Sequence, residues 1–569
     1  MVRAALTTTV LVLLPAAVQA APLWTDVTDQ TIGATAEWSN KVELADLNGD
    51  GRVDILFANG GNYNEPGTPE PNRIFLNQGA GKPFREATEE ILGPTGDLAR
   101  VIKARDVSGD GIVDILVGTT YQTQSRLYLG TGGGAFREVT ESNLPHSPGS
   151  VGDLEIGDVD GDGDLDLVLS DWGPGDPFES EGAPVRLWLN QGDGRFTDAS
   201  DRLPAGNVRW SWDLELYDAD NDYDLDIAVS CKVCPGSRLY HNDGAGRFTD
   251  ASDRLPQFSN NYEFEPIDLD ADGFMDLVTI NDGEQVSAGD QFDRREHVFI
   301  GDGQGGYRDG TADVWPAAAN VGADDNAVVV LDVDSDGDPD FLIASLSGTD
   351  RLLVNQGGRL EVNQEVFGGA ATPGTLGIAV ADLDGDNRLD VVQSQGELAE
   401  DERVYFGTGL EPDRAAPRID LVESPEAGGA VTVRARVHDN KTPVAAHDFS
   451  EVVLCRGVCE GAEARAQMSW YGGALWRADV EVEDGDLVQV CATDQAGNAS
   501  CSDPVAVGDD KTDDPDAGPD GSGGGCAVTG SRDQAGLGGL FLLLVACCAG
   551  VVRAKTRAWR FSRSSRRLP

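Results

Sequence analysis

The chain has 569 residues, which is long enough for more than one domain. It carries 98 acidic against 43 basic side chains, a formal net charge of −55, which excludes nucleic acid as the expected partner because phosphate recognition needs basic patches. Hydrophobic residues make up 40% of the chain and aromatic residues 7%, so it can form packed cores and its acidity does not indicate disorder.

The N-terminus is typical of a secretory signal peptide. Met1-Val-Arg3 forms a short basic region, Ala4 to Val18 is mostly small and apolar, and Val18-Gln19-Ala20 offers a small-residue cleavage site. The apolar stretch is too short, and wrongly flanked, for a transmembrane helix. We therefore expect residues 1–20 to be removed and the mature chain to begin at Ala21.

An acidic nonapeptide then recurs seven times, 50 to 64 residues apart. The copies begin at Asp46 (DLNGDGRVD), Asp106 (DVSGDGIVD), Asp158 (DVDGDGDLD), Asp218 (DADNDYDLD), Asp268 (DLDADGFMD), Asp332 (DVDSDGDPD) and Asp382 (DLDGDNRLD). A period of this length indicates a solenoid, a propeller or another repeat array. A surface made acidic for solubility or high salt would explain the total charge but not this arrangement.

Each copy lies among short segments with the pattern of β-strands. An alternating segment such as Val42/Leu44 precedes it, and an apolar run such as Ile55-Leu56-Phe57 follows. A third strand begins with Arg in six units and with His297 in the fifth, and a fourth often begins at an aromatic residue such as Phe84. Four strands per unit predict the blade of a β-propeller.

The two ends of the repeat region predict that the ring closes. The seventh unit ends at Tyr405-Phe-Gly-Thr-Gly409 without a fourth strand, and the missing aromatic-Thr segment occurs at Trp24-Thr-Asp-Val-Thr28. Pairing of this N-terminal segment with the last unit would remove the exposed edge of the array. We therefore predict an all-β fold with a seven-bladed β-propeller over residues 21–412.

The repeated D-x-[DN]-x-D-G-x-x-D motif resembles the FG-GAP/VCBS repeats of integrin-α-like β-propellers, from about Ala21 to Pro412. The resemblance implies that the loops bind calcium, with the backbone carbonyl at loop position 7 as one ligand.

The residues themselves favour calcium. Oxygen donors at alternate positions of a tight turn can converge on a hard cation such as Ca²⁺. Loop positions 1, 3, 5 and 9 are Asp throughout, apart from two other oxygen donors, which predicts up to seven structural Ca²⁺ sites. The predicted ligands are Asp46, Asn48, Asp50 and Asp54; Asp106, Ser108, Asp110 and Asp114; Asp158, Asp160, Asp162 and Asp166; Asp218, Asp220, Asp222 and Asp226; Asp268, Asp270, Asp272 and Asp276; Asp332, Asp334, Asp336 and Asp340; and Asp382, Asp384, Asp386 and Asp390.

Position 6 of the loop is Gly in five copies, as a sharp turn with positive φ requires. Asn387 tolerates that conformation, whereas Tyr223 leaves the geometry of the fourth loop open. An EF-hand would need Glu at position 12, where the chain has Phe57, Val117, Leu169, Val229, Thr279, Ile343 and Gln393. The remaining alternative, that the Asp residues are only solvated turn formers, does not explain seven copies of the same alternation.

Residues 413–508 show strand patterns without the repeat, such as Val431 to Val437 and Leu487 to Cys491, and resemble the small Ig-like β-sandwich domains of bacterial surface proteins. Disulfides are expected in an exported chain, although the sequence leaves their connectivity open. Cys231 and Cys234 predict a local disulfide rather than a redox pair. Residues 509–525 form an acidic tether without core-forming residues.

The C-terminal residues 526–569 combine Cys526, the apolar run from Leu537 to Val552, and a tail with seven basic residues. This order predicts a transmembrane helix with a cytoplasmic basic end. It resembles the MYXO-CTERM-like sorting tags of Gram-negative bacteria, which implies cleavage near Cys526 and display at the cell surface on the outer membrane. The alternative is a plain single-pass anchor in the inner membrane, facing the periplasm.

No catalytic motif is found, so the sequence predicts no enzyme. The main hypothesis is a calcium-stabilised surface protein for binding or adhesion, with an unknown extracellular protein or glycan as ligand and a membrane contact through the C-terminal segment or a lipid. The alternatives are an exported enzyme acting on polysaccharide through carboxylates, and a propeller that serves only as a spacer. Trp172, Trp210 and Trp212 are expected to pack between blades rather than line a sugar-binding face.

Overall fold

The computed structural model describes residues 22–508, apart from short internal gaps at 63–64, 176–179, 233, 235, 259, 282–283, 288–290, 294, 321, 364–365, 369–371, 397–399, 424, 426–428 and 460–463. The predicted signal peptide, the acidic tether, the Cys526 motif and the apolar run lie outside the described residues. Of the helices in the described part of the chain, none has the length and apolar character needed to cross a bilayer.

Seven four-stranded antiparallel sheets follow one another along the chain, as predicted for propeller blades. Blade 1 contains β2 (Ser39–Ala45), β3 (Asp54–Asn59), β4 (Arg73–Leu76) and β5 (Arg85–Glu86). Blade 2 contains β6 (Ala99–Arg105), β7 (Asp114–Thr119), β8 (Arg126–Gly130) and β9 (Phe136–Glu138). Blade 3 contains β10 (Val151–Gly157), β11 (Asp166–Asp171), β12 (Arg186–Asn190) and β13 (Phe196–Asp198). Blade 4 contains β14 (Leu214–Tyr217), β15 (Asp226–Val229), β16 (Arg238–Asn242) and β17 (Phe248–Asp250).

The last three blades continue the same order. Blade 5 contains β18 (Asn261–Ile267), β19 (Asp276–Asn281), β22 (His297–Gly301) and β23 (Tyr307–Asp309), and it is interrupted by the hairpin of β20 (Glu284–Ser287) and β21 (Gln291–Asp293). Blade 6 contains β24 (Asp324–Leu331), β25 (Asp340–Ser347), β26 (Arg351–Asn355) and β27 (Leu360–Asn363). Blade 7 contains β28 (Thr375–Ala381), β29 (Asp390–Gln395), β30 (Arg403–Phe406) and β1 (Thr25–Asp26).

The helices of the described residues are single turns. The α-helical turns are α1 (Thr88–Ile91), α2 (Thr140–Asn143) and α3 (Thr311–Val314), and the 3₁₀ turns are Thr28–Gln30, Ser200–Arg202, Ser252–Arg254 and Ala446–Asp448. Most of these turns follow the fourth strand of a blade, where the chain crosses to the next blade.

The N-terminal strand β1 closes the ring, as the sequence predicted. It pairs antiparallel with β30, with Thr25 opposite Phe406. Trp24 is 1% exposed, and its Nε1 donates a hydrogen bond of 2.8 Å to the carbonyl of Leu389. The innermost strands of the first and last blades, β2 and β28, contact each other. The fourth strand of blade 7 is therefore supplied by the opposite end of the propeller sequence.

The alternation of the inner strands explains how the blades pack. In β2, Val42 and Leu44 join an apolar cluster between blades 7 and 1. Lys41 and Glu43 point the other way and line the central channel. A strand with one apolar and one charged face is expected where a sheet borders a core on one side and a polar channel on the other.

Trp172, Trp210 and Trp212 belong to the core between blades, as the sequence analysis expected. Each is at most 1% exposed, and they pack with Tyr262 in one apolar cluster. The guanidinium carbon of Arg100 lies 3.4 Å from the ring centroid of Trp212, in a cation–π contact at the start of the inner strands. These tryptophans hold blades together and do not form an exposed sugar-binding surface.

Residues 418–506 form two further antiparallel sheets. One contains β31 (Arg418–Val422), β32 (Gly429–His438), β36 (Leu475–Val482) and β35 (Ser469–Gly472) in that order. The other contains β34 (Ala464–Gln467), β33 (Phe449–Arg456), β37 (Leu487–Asp494) and β38 (Ala499–Cys501), with β39 (Val505–Ala506) also paired to β37. The two sheets share one apolar core. We call residues 413–508 the C-terminal domain.

Three disulfides occur in the described residues. Cys231 is bonded to Cys234, which is the local disulfide that the sequence favoured. In the C-terminal domain, the pairs are Cys455–Cys459 and Cys491–Cys501. The second of these joins β37 to β38, where the two cysteines are directly opposite each other. The structure thus supplies the connectivity of these six cysteines, which the sequence left open.

Candidate metal centre: seven acidic loops on one face

Each acidic loop joins the first and second strands of a blade, so all seven loops lie at the same end of the ring. We call this end the loop face, and it carries residues 46–54, 106–114, 158–166, 218–226, 268–276, 332–340 and 382–390. The opposite face carries the connections between second and third strands and the crossings between blades. The repeat in the sequence therefore becomes a ring of acidic loops.

The Asp at loop position 9 is a buried acceptor that joins three strands. In the first loop, Oδ2 of Asp54 accepts the N–H of Leu47 at 3.0 Å, and Oδ1 accepts the N–H of Asn77 at 2.7 Å. The same two bonds recur in every loop. All seven of these Asp side chains are at most 1% exposed. Position 9 therefore supports each blade as well as contributing an oxygen to its loop.

Positions 1 and 5 are oriented by the backbone of the loop. Oδ1 of Asp46 accepts the N–H of Gly49 at 2.8 Å, and Oδ2 accepts the N–H of Gly51 at 2.7 Å. Oδ1 of Asp50 accepts the N–H of Arg52 at 3.1 Å. The position-6 amide bonds to Oδ2 of position 1 in all seven loops. These bonds hold the carboxylates in a turn around a common point.

The side chain at position 3 also indicates a bound cation. In loops 1, 3, 4 and 7, its Oδ1 atom is buried and has no hydrogen-bond partner among the described residues. These residues are Asn48, Asp160, Asp220 and Asp384. An unsatisfied buried oxygen is costly unless a donor or a cation reaches it.

Carboxylate oxygens converge in several loops. Ligand atoms lie within 4.8 Å of one another in the sets Asp158/Asp160/Asp166, Asp218/Asp220/Asp222, Asp268/Asp270/Asp276 and Asp332/Asp334/Asp336. Their oxygen-only donors fit a hard divalent ion such as Ca²⁺. When bound, the ion would neutralise the carboxylates and pin the turn between two strands.

The loop backbone adopts positive φ at two positions. At position 6, Tyr223 has φ +68° and Asn387 has φ +62°, so the fourth loop keeps the conformation of the glycine-containing loops. Position 4 is also left-handed in every copy, including Ala271 at +60° and Ser335 at +56°. The need for positive φ could be predicted from the sequence at position 6. At position 4 it was missed, although four of the seven residues there are Gly.

His241 is a neighbour of the fourth loop that the sequence analysis did not identify. Its Nδ1 lies 3.7 Å from Oδ2 of Asp220, and one ligand atom each of His241, Asp220 and Asp226 lie within 4.8 Å of one another. Burial lowers the pKa of His241. The sequence does contain a signal for this residue. The equivalent positions of the first and third repeats are Leu76 and Leu189, so a histidine here departs from the repeat.

Burial and the neighbouring acids raise the pKa of the position-9 Asp in the absence of metal. The pKa rises to about 7 for Asp54 and to about 8 for Asp166 and Asp390. The backbone N–H donors to these groups oppose the shift only partly. Without a cation, these loops therefore hold protons near neutral pH.

We expect the metal-free protein to be more stable at pH 6 than at pH 8. A pKa raised in the folded state means that the folded chain binds protons that the unfolded chain releases, so this stability is lost as the pH rises through about 7 to 8. Melting temperatures of metal-stripped protein, in buffers passed over chelating resin, measure the effect. With calcium bound, protons compete with the ion and the trend should disappear or reverse. A melting temperature that falls from pH 8 to pH 6 without metal would contradict these pKa shifts.

Three arginines of the C-terminal domain bind position 1 of acidic loops on the loop face. Arg477 contacts Asp158 at 2.5 Å, Arg436 contacts Asp218 at 3.0 Å, and Arg418 contacts Asp268 at 2.8 Å. Each guanidinium reaches Oδ2 of position 1, the atom that also accepts the position-6 amide, in loops 3, 4 and 5 respectively. The ion pairs do not involve the Oδ1 atoms of these Asp residues, which accept backbone N–H groups of their own loops.

A segment of the C-terminal domain also enters the mouth of the central channel. The N–H of Thr442 donates to the carbonyl of Val330 at 3.0 Å, and the N–H of Val330 donates to Oγ1 of Thr442 at 3.1 Å. The N–H of Asp332 donates to the carbonyl of Asn440 at 2.9 Å. The C-terminal domain is therefore attached to the inner strand of blade 6 by backbone hydrogen bonds as well as by its arginines.

Replacing Arg436 with Met is expected to destabilise the protein by about 3 kcal/mol, because it leaves a buried carboxylate without its partner. Arg436 and Asp218 are each only 1% exposed in their side chains. The matched control is Arg434→Met, since the Arg434–Asp224 pair is partly exposed and should contribute at most about 1 kcal/mol. Urea unfolding of both variants measures the difference. If calcium neutralises Asp218, adding it should reduce the loss of stability caused by R436M. Equal losses of stability for R436M and the Arg434→Met control would contradict a larger contribution from the buried Arg436–Asp218 pair.

Three segments of the chain match the FG-GAP-like repeat. They span residues 46–117, 106–169 and 332–392, and each begins at position 1 of an acidic loop. A comparison with curated protein sequences finds no match.

Several solved structures match the chain at low identity and low TM-score. An Agrocybe aegerita lectin that recognises non-reducing terminal N-acetylglucosamine is 19% identical, with a TM-score of 0.38, over 58% of this chain and 83% of the lectin. A fungal alcohol oxidase of the AA5 family in complex with copper is 12% identical, with a TM-score of 0.41, over 83% of this chain and 97% of the oxidase. Rhamnogalacturonan lyase YesW is 14% identical, with a TM-score of 0.27, over 84% and 91%. At these TM-scores the likeness carries no argument about function.

Proposed function

We propose that this protein is an exported, calcium-stabilised binding or adhesion module whose ligand is bound on the face opposite the acidic loops. The observation that carries the proposal is the position of the C-terminal domain. Its arginines occupy loops 3, 4 and 5, and its Asn440–Thr442 segment enters the channel. An extracellular ligand therefore has access to the opposite face and the outer rim, but not to the centre of the loop face.

The opposite face suits recognition because it carries connections that differ from blade to blade, held on a rigid ring. Loops positioned by a rigid scaffold are common binding elements. The connection between β3 and β4 includes the exposed segment Glu65–Pro69, and the connection between β19 and β22 contains the extra hairpin. We propose an extracellular protein or glycan as the ligand.

A glycan and protein array probed with the full-length protein tests this proposal. Saturable binding without turnover is the expected result, and it should weaken when exposed opposite-face connections such as Glu65–Pro69 are replaced by Gly and Ser. The matched control replaces Ala80–Pro83, an exposed segment of the same blade on the loop face. Turnover of a polysaccharide would overturn the proposal in favour of an enzyme, and binding that only the loop-face control abolishes would place the ligand elsewhere.

Display at the cell surface is part of the same proposal. It rests on the order of Cys526, the apolar run and the basic tail, and on the resemblance to MYXO-CTERM-like tags. Intact-mass analysis of the mature native protein should find a chain that begins near Ala21 and ends near Cys526. Recovery of the complete tail would contradict processing and leave an inner-membrane protein facing the periplasm.

A further inference from the structure

The inner strands of blades 3, 4 and 5 carry a second repeated acidic pattern, separate from the loops. The sequence reads Asp153-Leu-Glu155, Asp213-Leu-Glu215 and Glu263-Phe-Glu265. The pattern lies at β10, at β18 and at the start of β14, which are neighbouring inner strands in contact with one another. Because side chains alternate along a strand, the six acids point into the central channel in two rows of three. We call these six residues the acidic ladder.

The acidic ladder lines a cavity of about 110 Å³ on the ring axis. Residues of the C-terminal domain, including Pro443 and Ala445, line its loop-face end. A water molecule takes about 30 Å³ in the liquid, so the cavity has room for an ion with two or three waters.

The cavity has more acids than bases. Its wall contains the ladder and Glu43, seven carboxyl groups in all, against Lys41, Lys103 and Arg105 of the propeller. The other titratable groups at its wall are Lys441, which pairs with Asp448 at 2.8 Å, and His447, whose pKa is lowered by burial. The excess of four carboxyl groups is partly or fully buried, and unpaired charges are expensive away from water.

The ion pairs of the cavity account for only part of the ladder. Lys41 contacts Asp153 at 2.8 Å and Asp213 at 3.3 Å. Lys103 pairs with Glu155, and Arg105 pairs with Glu43 at 2.5 Å. Within the described ranges, Glu215, Glu263 and Glu265 form no ion pair with a basic side chain.

The pairing of Asp153 with Lys41 leaves one of its carboxylate oxygens, Oδ1, without a partner. Asp153 is 1% exposed, and its Oδ1 has no hydrogen-bond donor in the part of the chain that the structure describes. Its carboxyl group is also in hydrogen-bonding contact with that of Asp213. Two ionised carboxylates only accept hydrogen bonds, and the Lys41 ammonium group supplies a positive charge to both, at Oδ2 of Asp153 and Oδ1 of Asp213. Oδ1 of Asp153 is the oxygen that remains for a further cation.

We propose that the axial cavity binds one divalent cation through Oδ1 of Asp153 and the carboxylates of Glu215, Glu263 and Glu265. A hard ion with oxygen ligands, such as Ca²⁺, matches this donor set. The ion satisfies the orphaned Asp153 oxygen, offsets the excess charge, and fixes three inner strands against one another below the C-terminal domain. This site is distinct from the seven loops and shares no residue with them.

Burial raises the pKa of Glu265 to about 8 and those of Glu215 and Glu263 well above their usual range.

The test is to count calcium ions on the full-length protein by native mass spectrometry, with calcium as the only divalent ion. Glu215→Gln combined with Glu263→Gln should bind one ion fewer than the wild type. The amides keep the size of the side chains and remove charge repulsion, so we expect the variant to fold. The matched control is Glu89→Gln combined with Glu141→Gln, two exposed acids on α1 and α2, which should leave the count unchanged.

Equal numbers of bound calcium ions on the wild type and the ladder variant would overturn the proposal. That result would mean that protons, rather than a cation, neutralise the ladder. A crystal structure of the calcium-saturated wild type is the second measurement. Anomalous density within about 2.4 Å of ladder oxygens supports the site, and water alone at that position overturns it. Loss of the loop ions would change the counts of both proteins equally, so the two kinds of site are distinguished.

Discussion

Removal of calcium is expected to lower the melting temperature of the full-length protein by on the order of 10–20 °C. An ion that binds only the folded state stabilises it by about 2.7 kcal/mol per site at 100 times its Kd, and several loops contribute together. Differential scanning fluorimetry in excess EGTA and in calcium measures the shift. An unchanged melting temperature, with no metal found by elemental analysis, would contradict the calcium sites.

The individual loops should contribute unequally. Loop 3 has Asp at positions 1, 3, 5 and 9 and Gly at position 6, so we expect it to bind well. Loop 4 has the same donors, but Tyr223 must hold a φ of +68°, which costs about 1 kcal/mol or more for a residue other than Gly. Asp162→Asn should therefore reduce the calcium-dependent shift more than Asp222→Asn does.

Deletion of Trp24 to Thr28 is expected to make the protein aggregate. The deletion removes β1, exposes the edge of β30, and takes a fully buried Trp out of the core of blade 7. Unpaired strand edges recruit other chains, and loss of a buried Trp side chain alone costs about 3–5 kcal/mol. Size-exclusion chromatography with light scattering measures the change.

The control for this deletion removes Asp509 to Asp516 from the acidic tether, which should leave folding unaffected. The same readout applies to both proteins. A monomeric, equally stable protein without residues 24–28 would show that β1 does not close the ring.

The blades and their loops could be predicted because both depend on local, repeated signals. Alternation in segments such as Val42/Leu44 specifies a strand with one apolar face, and the spacing of acids in the nonapeptide specifies a turn lined with oxygen donors. Ring closure could also be predicted, since Trp24 to Thr28 repeats the pattern of the fourth strands in other blades. Repetition made each of these patterns visible several times in one chain.

The missed features depend on residues that are distant in the sequence. Nothing in the strand pattern of Val431 to Val437 indicates that Arg436 reaches Asp218, because the contact is set by how two domains pack. The acidic ladder requires knowledge of which side of an inner strand faces the channel. The role of Asp54 as an acceptor for Leu47 and Asn77 depends on its burial, which its residue type does not suggest.

Anomalous diffraction from crystals of the protein grown in calcium tests the calcium sites most directly. We expect calcium in the acidic loops, at about 2.4 Å from oxygens of positions 1, 3, 5 and 9, with Oδ1 of Asp160 among the ligands of loop 3. Loops that hold only water under saturating calcium, with Oδ1 of Asp160 bonded to a water or a protein donor, would contradict this expectation.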